Sequence, residues 1–120
     1  MSVLTIYGVP QRTSSLQINV YLRPELKKVV AGISELGLSP KEVDVFLHQE
    51  NTEDSGFAES QEGIVIFIDG IFERPACTDE VWNRLARAVV EKIKELKFIE
   101  CDKVKCFVRP LTPARGFFSS

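Results

Sequence analysis

Apolar and polar positions repeat along this chain with two periods, and the switches between them mark out its elements. Five consecutive large apolar residues, Ile64-Val65-Ile66-Phe67-Ile68, stand between Gly63 and Asp69-Gly70. All five are β-branched or aromatic and the run is too short for a helix, so it predicts a central strand buried on both faces. Val3 to Val9 predicts a strand at the start of the chain, with Leu4 and Ile6 set against Val3, Thr5 and Tyr7 and a turn at Gly8-Val9-Pro10. Val43 to His48 predicts another, Val43, Val45 and Leu47 on one face and Asp44, Phe46 and His48 on the other. In the last, Val104 to Val108, Val104, Cys106 and Val108 alternate with Lys105, Phe107 and Arg109, and Pro110 is the expected stop.

Between these strands the period lengthens. Val81, Leu85, Val89, Ile93 and Leu96 form one helical stripe, with Thr78 as N-cap, Asp79 and Glu80 in the first turn, Lys92, Lys94 and Lys97 near the end, and Trp82 at the border. Leu16 to Leu36 carries two patterns. Leu16, Ile18, Val20 and Leu22 alternate as in a strand, yet Ile18, Leu22, Leu26, Val29, Ile33 and Leu36 share a helical face, and the longer pattern prevails. Pro24 within that stripe predicts either a kinked helix or a helix that starts near Arg23, with Gly37 as C′ and Ser39-Pro40 as the stop.

The order strand, helix, strand occurs twice, over 2–49 and 63–110 of a single domain spanning 1–120. The acidic stretch 50–62, broken only by Phe57, reads as an exposed connection, with Phe57 a local clamp, a pocket cap or a subunit contact. The tail 111–120 ends in adjacent aromatics, Phe117 and Phe118, which argue for contact with another subunit.

Composition narrows the function classes. A hydrophobic fraction of 44% and a charged fraction of 27% fit a soluble globular domain. A net charge of −2 leaves no footprint for a nucleic acid, and no apolar run reaches the roughly 18 residues of a membrane span. The opening residues lack a secretory pattern, so a cytoplasmic location is expected. Cys77, Cys101 and Cys106 fit neither a disulfide framework nor a zinc knuckle and read as reduced thiols. Cys77 precedes a helix cap, where a reactive thiol is one reading and a semi-buried inert one the other. His48, the single histidine, has no ligand partners at metal spacing, and Asp69-Gly70 reads as a turn. No metal and no cofactor are expected.

The whole pattern resembles the tautomerase superfamily, in particular the branch typified by macrophage migration inhibitory factor. The residues that carry the resemblance are Val9-Pro10 closing the first strand, Gly37-Leu38-Ser39-Pro40 before the second, the apolar strand Ile64 to Ile68, the second helix, and a tail with Ala114, Gly116 and Phe117. The resemblance implies an α/β (α+β) fold: two consecutive β-α-β units form a four-stranded sheet backed by two helices, and three protomers associate as a barrel-like homotrimer. It also implies acid-base chemistry through an N-terminal proline freed of its initiator methionine. This chain has Ser2 in that place. With Met1 removed, Ser2 presents a primary amine of ordinary pKa about 7.7 to 8.0, able to accept a proton or form a Schiff base but without a proline's ring geometry.

The implied site takes Ser2 as catalytic residue. Arg74, Arg109 and Arg115 are its carboxylate-binding residues, because a guanidinium fork grips a carboxylate with two bonds. Each arginine alone also reads as a solvated or subunit-bridging cation. The resulting expectation is a tautomerase-like homotrimer without the catalytic proline, its activity on a small keto or enol carboxylate absent, weak or diverted. The alternative is a non-catalytic ferredoxin-like module that binds small molecules or proteins, with the same element order but differently interleaved strands.

Overall fold

The computed structural model describes residues 2–10, 12–49, 63–96, 99 and 103–111. The expected strand, helix, strand order is present twice. Strand β1 (Ser2–Val9) leads to a helical segment made of a π-helical stretch, Gln17–Leu22, and α1 (Arg23–Ala31). Single 3-10 turns follow at Ser34–Leu36 and Pro40–Glu42, then β2 (Val43–Gln49). The second half contains β3 (Gly63–Phe72), α2 (Asp79–Glu95) and β4 (Lys103–Leu111).

The four strands form one sheet in the order β2-β1-β3-β4. Each half contributes a parallel pair joined by its helix, and β1 and β3 meet antiparallel at the centre, Leu4 opposite Ile68 and Ile6 opposite Ile66. Direct pairing of β1 with β2 rules out the ferredoxin-like sheet, in which the parallel strands of a unit are split by another strand.

Pro24 explains the first helix. Proline has no N–H, and its ring crowds the carbonyl four residues back, so the ordinary ladder fails there. The chain widens instead into the π-turn, in which the Arg23 N–H reaches the Ile18 carbonyl five residues behind. The α-helix proper starts at Arg23 with Pro24 in its first turn, as expected, and the π-helical stretch precedes it. The helical path begins sooner, at a reciprocal cap in which the Gln17 N–H donates to Ser14 Oγ and the Ser14 N–H to Gln17 Oε1. α1 also ends sooner than Leu36, with Gly32 as C-cap, so Ile33 and Leu36 belong to the connection. Helix α2 follows its expected stripe, Val81, Leu85, Val89 and Ile93 all buried, although the Thr78 hydroxyl makes no capping bond.

Both helices cover one face of the sheet. Leu4, Ile6, Val43, Ile64, Ile66 and Ile68 pack there against Leu22, Leu26, Leu85 and Val89. The opposite face has no layer from the described residues. Val65 and Phe67 are therefore only half-buried, and β3 is buried on one face, not two. The five-residue apolar run does not distinguish core from an open apolar face, because alternation is lost in it.

Candidate functional site

β3 does not turn at Asp69-Gly70. Gly70 takes φ +89°, and the pairing with β4 slips between Asp69 and Phe72, so the strand bulges and continues. That bulge swings Ile71, Phe72 and then Arg74 towards the segment that follows α1. Between them lies a cleft of about 230 Å³, walled by Leu36, Gly37, Leu38 and Glu42 on one side and Gly70, Ile71, Phe72 and Arg74 on the other.

The sheet register locates this cleft relative to the chain start. Ser2 pairs with Val43, the residue after Glu42, and Val3 with Asp69, the residue before Gly70. The two walls thus flank the first residue of β1. Ser2 itself is fully buried, and among the described residues its Oγ has no hydrogen-bond partner. A buried hydroxyl in that state costs about 1 to 3 kcal/mol.

Arg74 borders the cleft with its guanidinium on backbone carbonyls. Nη2 donates to the Glu35 oxygen at 3.0 Å and also to the Leu36 oxygen. Gly37 makes room for this: its φ is +64°, and a Cβ there would stand 3.3 Å from Arg74 Nη2. The turn is tied down twice more. The Glu35 carboxylate pairs with Arg84, which holds its pKa below the usual carboxylate value, and Cys77 Sγ donates to the Glu35 carbonyl at 3.6 Å. Glu42 is fixed by the Ser39 N–H, and by the Ser39 hydroxyl, each at 3.1 Å, so its pKa is also lowered.

Arg109 lies elsewhere. Its Nε and Nη2 donate to the two carboxylate oxygens of Asp69, both at 2.7 Å, and its guanidinium carbon stacks 4.3 Å over the Phe67 ring. It lines a second cleft of about 360 Å³ that passes over β4 from Trp82 and Ala86 of α2 to Phe67 and Phe107. An aromatic row continues from there across the uncovered face: Phe107 stacks on Phe67 at 5.5 Å, Tyr7 meets Phe67 edge-on at 6.0 Å, and His48 stacks on Tyr7 at 4.6 Å. Cys106 sits beside this cleft with its thiol pushed by burial up to about 12. Among the described residues no group of three His, Cys, Asp or Glu side chains is placed to hold a metal ion.

The expected convergence of arginines is therefore not met within one protomer. Arg74 and Arg109 line different clefts, and Arg109 pairs with Asp69 of its own chain. Arg115 lies outside the described residues, as do Met1, Phe57, Cys101, Phe117 and Phe118. Glu42 in the cleft wall, and the Glu35–Arg84 pair that ties the adjoining turn, are not foreseen in the sequence. Only Glu42 left a local signal, the capping spacing Ser39-x-x-Glu42.

No protein-family model matches this chain, and no curated protein sequence matches it. Solved structures do match in shape. A wild-type fused 4-OT asymmetric trimer aligns with a TM-score of 0.74 at 16% identity, over 97% of this chain and 91% of that one. A protein inactivated by 2-oxo-3-pentynoate aligns at 0.73 and 20% identity, over 98% and 91%. Macrophage migration inhibitory factor of Toxoplasma gondii aligns at 0.63 and 16% identity, over 97% and 95%. Identities this low speak to architecture: this chain has the mixed α+β fold, a four-stranded sheet backed by two helices, that tautomerase-superfamily proteins such as the fused 4-OT and macrophage migration inhibitory factor share.

Proposed function

We propose that this protein is a tautomerase-like homotrimer that binds a small 2-oxo or enol carboxylate in the cleft beside Ser2. The observation that carries the reading is the coincidence of the first residue of β1, the Arg74 cation and a cleft of about 230 Å³ at one end of the sheet. Arg74 supplies the positive charge for the ligand carboxylate, and the Ser2 amine, once Met1 is removed, supplies the base. The fold neighbour inactivated by 2-oxo-3-pentynoate, itself a 2-oxo carboxylate, supports this ligand class.

Trimer formation is supported by the uncovered sheet face. Tyr7, Phe46 and Phe107 there are 43%, 55% and 49% exposed in one protomer, an apolar patch suited to burial against further copies. The fused 4-OT neighbours are trimers. Ser2 in the place of a proline makes turnover slow or redirects it, because a primary amine lacks the proline's fixed ring. The second reading is a ligand-binding trimer without catalysis, favoured by the full burial of Ser2. For the location, a cytoplasmic protein is proposed; no described helix is long and apolar enough to cross a membrane.

Intact mass first establishes whether Met1 is removed. Tautomerisation of 2-hydroxymuconate and of phenylpyruvate is then measured for wild type and Ser2→Pro. Turnover by wild type with a free Ser2 amine is the expected result. Retained Met1 with no turnover by wild type establishes the non-catalytic reading, and activity gained by Ser2→Pro identifies the cleft as a working site that lacks its base.

A further inference from the structure

The carbonyls that hold Arg74 determine how it can receive a ligand. A guanidinium offers a carboxylate two bidentate faces, Nε with Nη2 and Nη1 with Nη2, and both need a hydrogen on Nη2. Arg109 shows the first of these faces engaged, Nε and Nη2 on the two oxygens of Asp69. In Arg74 both Nη2 hydrogens are committed, one to Glu35 and one to Leu36. Neither face is free. Yet the acceptors are neutral dipoles, and among the described residues no carboxylate pairs with the guanidinium.

We propose that Arg74 is a latch: it closes the Ser34–Leu36 turn against the end of β3 and releases that turn when it swings to grip a carboxylate in the cleft. The inference rests on the ligand class proposed above and adds the coupling between ligand and turn. Three features support it. The acceptor turn, Leu36 and Gly37, is itself a wall of the cleft, so the cation and the moving part face the same ligand. The turn has only a light internal frame, the Leu36 N–H on the Ile33 oxygen at 3.0 Å and the Gly37 N–H on the Ser34 oxygen at 3.1 Å. A charge-assisted bond to a carboxylate exceeds a bond to a neutral carbonyl, so exchanging the partners is favourable once a ligand arrives. The Arg84 pair and the Cys77 contact both act on Glu35, and so set how far the turn opens.

Amide exchange at Leu36 and Gly37, with phenylpyruvate as the probe, tests this. Ligands ordinarily slow exchange where they bind. Here the saturated wild type exchanges faster at these two amides, and Arg74→Met exchanges faster by about tenfold with no ligand present, as loss of a charge-assisted bond requires. Arg74→Lys keeps the charge but not the planar fork and gives the same ligand-free rise, which covers the case of a poorly folded methionine variant. Cys77 alkylation, followed by peptide mass, accelerates in parallel because its thiol loses the Glu35 carbonyl. Slow exchange in both variants overturns the latch. Phenylpyruvate shifts at Gly70 to Phe72 with unchanged or slowed exchange at Leu36 and Gly37 overturn the release alone. No response of the wild type anywhere overturns the ligand reading and the release with it.

Discussion

Arg74 follows β3 and Arg109 lies in the neighbouring strand β4, and they differ in what accepts their hydrogen bonds. Arg109 lies on the uncovered face with its fork closed on the Asp69 carboxylate, so its charge is matched. Arg74 lies on the helix-backed side with its fork closed on two carbonyls, and among the described residues no carboxylate matches its charge. A guanidinium in hydrogen-bond balance is therefore not always one in charge balance. The first arginine organises a surface of stacked rings, and the second remains attractive to an anion. On the proposed reading, one face of the molecule serves association and the cleft at its end receives a small acid.

The most drastic way to break this division is to charge the aromatic face. Phe107→Glu places a carboxylate against Phe67, where burial in the proposed assembly is strongly unfavourable. Sedimentation is expected to show loss of the trimer with the protomer still folded; a trimer of unchanged stability would remove the face from the interface. Next in size is carboxylate affinity. Arg74→Met is expected to weaken phenylpyruvate binding about tenfold or more, and Arg109→Met by less than about threefold, measured by calorimetry. Equal losses would erase the distinction between the two cations. Asp69→Asn sharpens it further, because Arg109 then loses its matching charge. The pair is more than a third exposed on the Arg109 side, so the stability change in urea melts is expected to be small, and any gain in anion binding is expected near Arg109.

The remaining tests vary pH. The Arg84 bond to Glu35 and the Ser39 backbone bond to Glu42 lower both carboxyl pKa values below 4.5. Their stabilisation is complete above that value and is lost as pH falls through the folded-state values. Cys106 acts at the other limit. Its thiol is raised from 9.0 to about 12, so the unfolded chain releases that proton first and stability declines as pH rises from about 9. Urea midpoints across pH should show both limbs. Cys106→Ala should flatten the alkaline limb, and Glu35→Gln with Glu42→Gln the acid one.

Much of this fold was legible in the sequence because its signals are local. The stripe of Val81, Leu85, Val89 and Ile93 fixed α2, and Val43, Val45 and Leu47 fixed the inward face of β2. Pro24 announced a disturbance in the first helix, though not the π-turn that accommodates it. Asp69-Gly70 misled, since a positive φ at glycine serves a bulge as well as a turn. The site was legible only in part. The resemblance points to Ser2 and Arg74, but the clamp on Arg74 comes from residues 38 and 39 positions away, and the partner of Arg109 from 40 away. Spacing along a chain carries no record of such pairings; the sheet order and the bulge create them.

Both the proposed function and the latch depend on where a small acid binds. A titration of isotope-labelled protein with phenylpyruvate, read as amide shifts, tests that most directly. Shifts gathered at Ser2 and Val3, at Leu36 to Leu38 and at Gly70 to Phe72, all abolished by Arg74→Met, are the predicted result. Shifts centred instead on Phe67, Trp82 and Phe107, or unaffected by Arg74→Met, would contradict it.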